Sequence, residues 1–483
     1  MHKQRWVLVL AAAASFIVGL DSLVVTTALP TIRHELGASL GSLEWTVNAY
    51  TLSFAVLLMS AAALGDRYGR RRMLCLGVGL FGAASVACAL APSAGVLVAA
   101  RAVQGAGAAF VMPLALGLLT AAYEPRERPR ALGIFAAAAG AAVALGPPLG
   151  GAVVQGISWP WIFWLNVPLT AAIILIARAR VDEQHGPKAA FDTRGAPLMM
   201  AGSFLLVWGL VRANTIGWGS AEVLTALVAG LAVTTTFVLV ESRLPAPMLP
   251  ISLFRSRSFT AGSAAIFFLW GSGLGGLFFM TQLLQNGLGN DPLTAGLRLM
   301  PWGAVTFTLP TLTGRLINRY GEARFIAGGA ALHAAAFAWV ALAARTGMPY
   351  WELVPPLILS GCGFSLAMPA TQSAVLSSVA LEQVGKASGA LSTIRQLGGA
   401  FGLAIQAAAF AAAGSYASRH TFIAGARPAL AACAGLGLLA ATAGTTLHAR
   451  RQAISPPGRT STELVAVPAP GLPHLQRSVI TRS

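Results

Sequence analysis

The six-residue stretch LGDRYG at residues 64–69 returns 252 positions later as LINRYG at residues 316–321. The same offset relates three further pairs of glycines, which are Gly133 and Gly385, Gly146 and Gly398, and Gly150 and Gly402. One offset that holds at separate places along a chain indicates a duplicated architecture. Membrane transport proteins are commonly built from such repeats, with the substrate site between them near the middle of the bilayer.

The composition excludes a chain made of soluble domains. Hydrophobic residues make up 56% of the 483 residues and charged residues only 10%, whereas soluble domains carry about 25% charged residues. The four cysteines lie far apart in apolar stretches and lack metal-ligand spacing, so we expect reduced thiols that pack in the interior: Cys75, Cys88, Cys362 and Cys433. The sequence predicts an integral membrane protein.

Apolar stretches long enough to cross a bilayer, about 20 residues each, occur fourteen times. We predict spans at roughly 7–29, 45–64, 74–91, 95–119, 131–154, 161–178, 196–213, 221–240, 259–284, 294–314, 325–343, 353–376, 388–413 and 428–448. Pro30 is expected to end the first span, which is retained rather than cleaved as a signal peptide. The loops are short, and the tail at 451–483, rich in Pro, Ser and Thr, is predicted to be disordered.

The repeat offset sets the domain organisation. It covers eight of the predicted spans, so halves of six helices require two additional helices between them. We therefore predict an N-terminal six-helix bundle at 1–180, two extra helices with linkers at 181–258, a C-terminal six-helix bundle at 259–450, and the tail at 451–483.

The distribution of positive charge predicts the orientation. If the N-terminus is cytoplasmic, twenty-five of the 33 Lys and Arg residues lie on the cytoplasmic side, six lie outside and two lie within spans. This asymmetry follows the positive-inside rule. It places both termini in the cytoplasm and accounts for the net charge of +17 without a nucleic-acid partner.

Two opposite charges are predicted inside the spans. Asp21 is the only acid that we place plainly within the bilayer, where an ionisable residue indicates a functional site. It is either a carboxyl that exchanges a proton or a structural residue satisfied by a helix end or by Ser22. Arg101 lies in the fourth span with Gln104 and Gly105 on its face, and it either biases a proton site or bonds backbone carbonyls. Whether Arg101 touches Asp21 does not follow from sequence.

Other polar residues within the spans are candidates for a substrate cavity. They are Asn48, Tyr50, Gln104, Arg395 and Gln406. The role of Arg395 stays open between structure and function, and His333 is expected to be a packing residue rather than a proton relay.

Two glycine-containing motifs suggest moving parts. In the fifth span, Gly146 and Gly150 form a face for close helix contact, and Pro147 bends the helix next to it. Together with Gly151 they suit a hinge or seal, or a packing face alone. In the loop between the second and third spans, a set of four residues forms a possible cytoplasmic latch or merely supplies positive charge: Asp66, Arg67, Gly69 and Arg70.

The order of these motifs resembles the major facilitator superfamily, specifically its fourteen-helix drug–proton antiporters of the EmrB/QacA type. The resemblance runs from about residue 7 to 448 and rests on Leu20 to Pro30, Trp45 to Tyr50, Leu64 to Arg72, Arg101 with Gln104 and Gly105, and Gly146 to Gly151. Two positions depart from the family pattern. Ala62 stands where a leading glycine is usual, and Pro160 replaces the arginine of a Trp-Arg-Trp-Ile-Phe element.

The resemblance implies an all-α membrane protein with the major facilitator fold, two six-helix bundles plus two additional central helices. It implies proton coupling through Asp21, proton transfer at Arg101 and antiport through the fifth-helix motif. The leading hypothesis is a monomeric, non-enzymatic antiporter in the cytoplasmic membrane that uses protons to export small hydrophobic or amphipathic compounds, with no metal or other cofactor. The alternatives are a proton-coupled uptake symporter of the same fold and a membrane enzyme, although no catalytic motif is recognised.

Overall fold

The computed structural model of the chain describes residues 2–124, 127–186, 194–244, 247, 249–309, 317, 321–379 and 383–447. Its helices are α1 His2–Leu36, α2 Leu40–Tyr68, α3 Arg70–Ala89, α4 Ala94–Ala122, α5 Arg128–Gly156, α6 Trp161–Trp164, α7 Asn166–Arg180, α8 Gly195–Ile216, α9 Ala221–Arg243, α10 Arg257–Gln282, α11 Pro292–Arg298, α12 Met300–Thr308, α13 Glu322–Ala343, α14 Val354–Leu376, α15 Val384–Ala413 and α16 Arg419–Thr445. A π-helical turn, Leu283–Gly287, extends α10. A helix pairs its own backbone N–H and C=O groups in hydrogen bonds, and the lipid tails of a bilayer offer no such partners.

Thirteen helical stretches of the described residues are long and apolar enough to cross a membrane, with α6 and α7 together forming one of them. In the tenth predicted span, 294–314, the structure shows the two short helices α11 and α12. Residues 310–314 of this span lie outside the described part. The predicted disordered tail at 451–483 and residues 318–320 of the second repeat copy also lie outside it.

Several predicted span boundaries differ from the ends of the helices. Pro30 lies inside α1, which continues to Leu36. The second helix begins at Leu40 rather than near residue 45, because Ser39 caps it by accepting a hydrogen bond from the Ser42 backbone N–H at 3.2 Å.

The helices form two packed groups. Helices α1 to α7 pack on one another as an N-terminal lobe, and α10 to α16 pack as a C-terminal lobe. Between them in sequence, α8 packs against α2 and α15, while α9 packs on α8. Trp45 of α2 joins this hairpin through aromatic contacts, with ring centroids 5.5 Å from Phe204 and 5.8 Å from Trp208.

The two ends of the bundle differ in how the lobes meet. We call the end that holds the α2–α3 loop, with Arg70 to Arg72, the basic side, and the end that holds Leu36 and Gly156 the far side. The largest hydrophobic core lies in the far-side halves of helices from both lobes, including Leu29 and Phe279. Toward the basic side each lobe also has a core of its own, and α2 and α15 remain in contact along the seam. The far side is therefore sealed.

Candidate functional site

Asp21 lies in the interior of the N-terminal lobe, on α1, and is 3% exposed. Arg101 of α4 donates a hydrogen bond from Nη1 to Asp21 Oδ2 at 2.5 Å. Both side chains are withdrawn from solvent, so the pair keeps two opposite charges together where neither is stable alone. The structure thus places the two predicted proton-coupling residues in direct contact.

Arg101 has further partners that fix its guanidinium. Its Nε donates to the Thr46 carbonyl oxygen at 3.1 Å, and its Nη1 also donates to Gln104 Oε1 at 2.6 Å. The guanidinium carbon lies 4.2 Å from the centroid of the Tyr50 ring, which adds a cation–π contact. These contacts tie α4 to α2 as well as to α1.

The second carboxylate oxygen of Asp21 is held by two amides. Gln104 Nε2 donates to Asp21 Oδ1 at 2.8 Å, and Asn166 Nδ2 donates to the same atom at 2.9 Å. Both amides also donate to the Ser85 hydroxyl, at 2.8 Å and 3.3 Å. Both oxygens of the Asp21 carboxyl thus accept hydrogen bonds. One carboxyl therefore joins α1, α3, α4 and α7.

Asn166 and Ser85 are site residues that the sequence analysis missed. Both are almost fully buried, at 2% and 0% exposure. The signal available in the sequence was a polar side chain within an apolar span, the same signal that identified Asp21. Many threonines and serines in these helices instead bond the carbonyl of their own helix, as Thr51 does, so that signal alone selects too many residues.

The candidate cavity residues fall into separate places. Gln104 and Tyr50 belong to the Asp21 network, whereas Asn48 is fully buried and neither of its amide atoms has a partner among the described residues. In the C-terminal lobe, Gln406 donates from Nε2 to the Gly271 carbonyl at 3.0 Å.

Arg395 stands over the Trp270 ring at 5.0 Å, and it forms no ion pair with any acid that the structure describes. The flanking faces of α15 pack on α2 through Thr393, which donates to the Ala55 carbonyl at 3.1 Å, and on α10 through Gly398. Arg395 is therefore a cation without an acidic partner among the described residues, on a helix that contacts both lobes.

The fifth-helix motif lies where α5 packs against α1 of its own lobe and against α11 of the C-terminal lobe. A Cβ at Gly146 would come within 2.8 Å of the Leu23 side chain, and one at Gly150 would crowd the Thr27 hydroxyl, both on α1. Gly151 faces the other way, against the backbone of Pro292 in α11. Pro147 lies inside a continuous α5, and its carbonyl approaches Gly296 of the C-terminal lobe. Small residues here let three helices approach closely.

The loop motif makes its described contacts within the chain segment up to residue 186. Asp66 Oδ1 accepts from Arg70 Nε at 2.7 Å, and Arg70 Nη1 donates to the Gly117 carbonyl of α4 at 3.1 Å. Gly69 has a φ of 107°, which glycine adopts without strain. Arg67 lies over the Tyr68 ring at 5.3 Å. The motif fastens α2 and α3 to α4 and to the segment after α7.

The expectation that Asp21 is the only acid within a span is wrong. Glu44 lies in α2 with 0% exposure, and neither of its carboxyl oxygens has a hydrogen-bond partner among the described residues. Glu241 near the end of α9 is also buried, and it accepts a hydrogen bond from the Leu249 backbone N–H at 2.9 Å. Within the described ranges, no group of three His, Cys, Asp or Glu side chains could hold a metal ion.

Comparison with known proteins agrees with this architecture. A family model described as Major Facilitator Superfamily matches residues 11–403. The chain is 35% identical over 412 residues to the tetracenomycin C resistance and export protein of Streptomyces glaucescens, which covers 84% of this chain and 76% of that protein. It is 37% identical over 404 residues to the cephamycin export protein CmcT of Amycolatopsis lactamdurans, covering 82% and 83%.

The fold is also similar to that of solved transporters. A crystal structure of the peptide transporter POT in complex with sulfate superposes with a TM-score of 0.66 at 14% sequence identity, covering 91% of this chain and 95% of that one. At this identity the likeness concerns the arrangement of helices alone.

Proposed function

Because the chain belongs to the Major Facilitator Superfamily, we propose that it is a proton-driven antiporter that exports small hydrophobic or amphipathic compounds across the cytoplasmic membrane. The observation that carries this proposal is the buried pair of Asp21 and Arg101, 2.5 Å apart. The names of the relatives, which refer to export and resistance, support the direction of transport. The gradient of protons is the only energy source required, with no metal or other cofactor, and one chain suffices.

The proposed topology has fourteen spans. Its tenth span consists of α11 and α12 with the residues that follow them, and α8 and α9 are the two additional helices. The basic side faces the cytoplasm, in agreement with the positive-inside rule. The far-side seal then excludes an outward-facing arrangement.

A proton on Asp21 would act on the seal through α1. Protonation removes the negative charge that Arg101 faces and converts one carboxyl oxygen from an acceptor into a donor. Thr27, on the same helix, lies against Gly150 of α5, and its carbonyl accepts a hydrogen bond from Gln285 Nε2 of the C-terminal lobe at 2.9 Å. A shift of α1 therefore reaches the contact between the lobes without an intermediate element.

The available energy is sufficient for export. One elementary charge that crosses 100 mV contributes about 2.3 kcal/mol, and one pH unit adds about 1.4 kcal/mol. One proton under both gradients supports an accumulation of several hundredfold for an uncharged substrate.

The test uses inside-out vesicles and tetracenomycin C or a cephamycin as the transported compound. An acid lumen should drive uptake into the vesicles, a protonophore should abolish it, and Asp21→Asn should remove the pH-driven part. Asn matches the neutral acid in shape but has no proton to release, so the variant should fold and insert without exchanging protons at this position. Glu35→Gln, at an exposed acid, is the matched control and should transport normally. Uptake by right-side-out vesicles alone would instead support symport, and unchanged transport by Asp21→Asn would remove Asp21 from the mechanism.

A further inference from the structure

Glu44 is a second buried carboxyl, and it lies where the two lobes meet. It belongs to the N-terminal lobe, but its neighbours on α2, Leu43 and Val47, are part of the hydrophobic core that is shared by the two lobes. Tyr416, between α15 and α16 of the C-terminal lobe, packs against the same core. Glu44 therefore lies within the far-side seal.

The residues around Tyr416 contact one another, but no described residue forms a hydrogen bond with the Glu44 carboxyl. Tyr416 donates its hydroxyl to Gln282 Oε1 at 2.6 Å, and Arg33 of α1 lies over the Tyr416 ring at 4.1 Å. The ring also packs on Phe410 at 5.2 Å between centroids. Residues of α1, α10 and α15 thus meet around Tyr416 in this shared core, and none of the described residues donates a hydrogen bond to Glu44.

Among the residues that the structure describes, Glu44 forms no ion pair either. The ionisable side chains on the elements packed around this part of α2 are Asp21 and Arg33 of α1, Cys88 of α3, Arg101 of α4, Arg212 of α8, Arg395 of α15 and Tyr416. Arg101 pairs with Asp21 and Arg212 with Glu222 at 2.8 Å, while Arg33 and Arg395 lie over aromatic rings. His34 and His420 at the same end are exposed to water.

These surroundings determine whether the Glu44 carboxyl is ionised or neutral when the far side is closed. An ionised carboxylate without a partner in an apolar interior is very costly, whereas the neutral acid costs much less. If the lobes part at the far side, Glu44 meets water, where a glutamate ionises above about pH 4.3. The closed and open arrangements therefore hold different numbers of protons at this residue.

We propose that Glu44 is a second proton-binding site, which takes up one proton from the far-side solution when the lobes close there and returns it when they open. The only bond that forms or breaks is the carboxyl O–H. This inference rests on the proposed function only in requiring that the far side opens during the transport cycle. Over the pH range in which the open form is ionised and the closed form is protonated, the ratio of closed to open molecules falls up to about tenfold per pH unit.

The test measures the opening of the far side directly, without a substrate. Spin labels are placed on cysteines introduced at Ile157 and Trp351, exposed far-side positions of the two lobes, with Cys75 and Cys362 replaced by serine. Distances are measured by pulsed EPR in liposomes between about pH 5 and pH 8. The wild-type protein should gain an open, longer-distance population as the pH rises. Glu44→Gln should remain closed throughout, and Glu35→Gln should behave like the wild type.

Two further variants keep the inference falsifiable. Glu44→Leu fills the same space without a carboxyl and should also stay closed at every pH, so it replaces Glu44→Gln if that variant fails to fold. Asp21→Asn should keep the pH-dependent opening, because Glu44 is intact. A pH response that persists in the Glu44 variants, or a wild-type distance that ignores pH, would overturn the inference. Neither result bears on whether export depends on Asp21, which the vesicle experiment decides.

Discussion

A methyl group added at Gly151 tests how the far side is sealed. A Cβ at this position would overlap the Pro292 carbonyl oxygen and lie 2.7 Å from Leu293 Cα. These are backbone atoms of α11, which cannot rotate away as a side chain can, so α5 and α11 must separate. Overpacking of this kind costs about 1–3 kcal/mol. The cost disappears when the lobes are apart, so Gly151→Ala should lower the ratio of closed to open molecules about 5- to 150-fold.

A disulfide across the seal measures that ratio. Gln155 Oε1 of α5 accepts a hydrogen bond from the Leu293 backbone N–H at 3.2 Å, so these two positions are neighbours when the far side is closed, and cysteines are introduced at both. Gly151→Ala should slow formation of the disulfide in membranes, and the slowing reaches the factor given above when the open form predominates. Gly156→Ala is the matched control on the same helix, since nothing lies within 4 Å of a Cβ there. An unchanged rate in Gly151→Ala would refute the claim that this backbone contact forms the seal.

Two further variants address substrate charge and the loop motif. Arg395 lacks a counter-ion among the described residues, so Arg395→Gln should raise the KM for an organic anion such as 8-anilinonaphthalene-1-sulfonate about ten- to a hundredfold, and leave the neutral dye N-phenyl-1-naphthylamine unaffected. Equal effects on both dyes in vesicle transport would contradict this. Gly69→Ala places a Cβ at φ 107° and 2.6 Å from the Glu183 carboxyl carbon, so the protein should lose about 1–3 kcal/mol of stability. A melting temperature in detergent equal to that of Gly133→Ala, which has an open environment, would show that the loop tolerates the change.

The sequence predicted the components of the site but not their assembly. Asp21 and Arg101 stand out because a charge within an apolar span is rare, whatever the fold. Their contact depends on how α1 and α4 are rotated toward each other, and 80 positions separate the two residues in the chain. Asn166 completes the network from α7 and carries no charge that would have distinguished it beforehand.

Glu44 was missed for a different reason, which is the limited accuracy of helix ends. A span that starts at residue 45 leaves Glu44 in a loop with access to water. The cap at Ser39 extends the helix to Leu40 and brings Glu44 into the far-side seal. A shift of five residues at one boundary thus changes a solvated acid into a buried one.

Asp21 and Glu44 are chemically similar acids in opposite surroundings. Three donors, one of them the Arg101 guanidinium, bond the carboxyl oxygens of Asp21 within one lobe. Glu44 lies in the core shared by the lobes with neither donor nor counter-ion among the described residues, where the neutral acid costs less than the ionised one. Opening the far side would expose Glu44 to water, where the ionised carboxylate is no longer costly. The donors around Asp21 all belong to the N-terminal lobe, so they would stay in place. The state of Glu44 therefore follows the separation of the lobes directly, while Asp21 acts on that separation only through α1. If both proposals hold, loss of Glu44 changes when the far side opens, and loss of Asp21 changes whether a proton gradient drives the cycle.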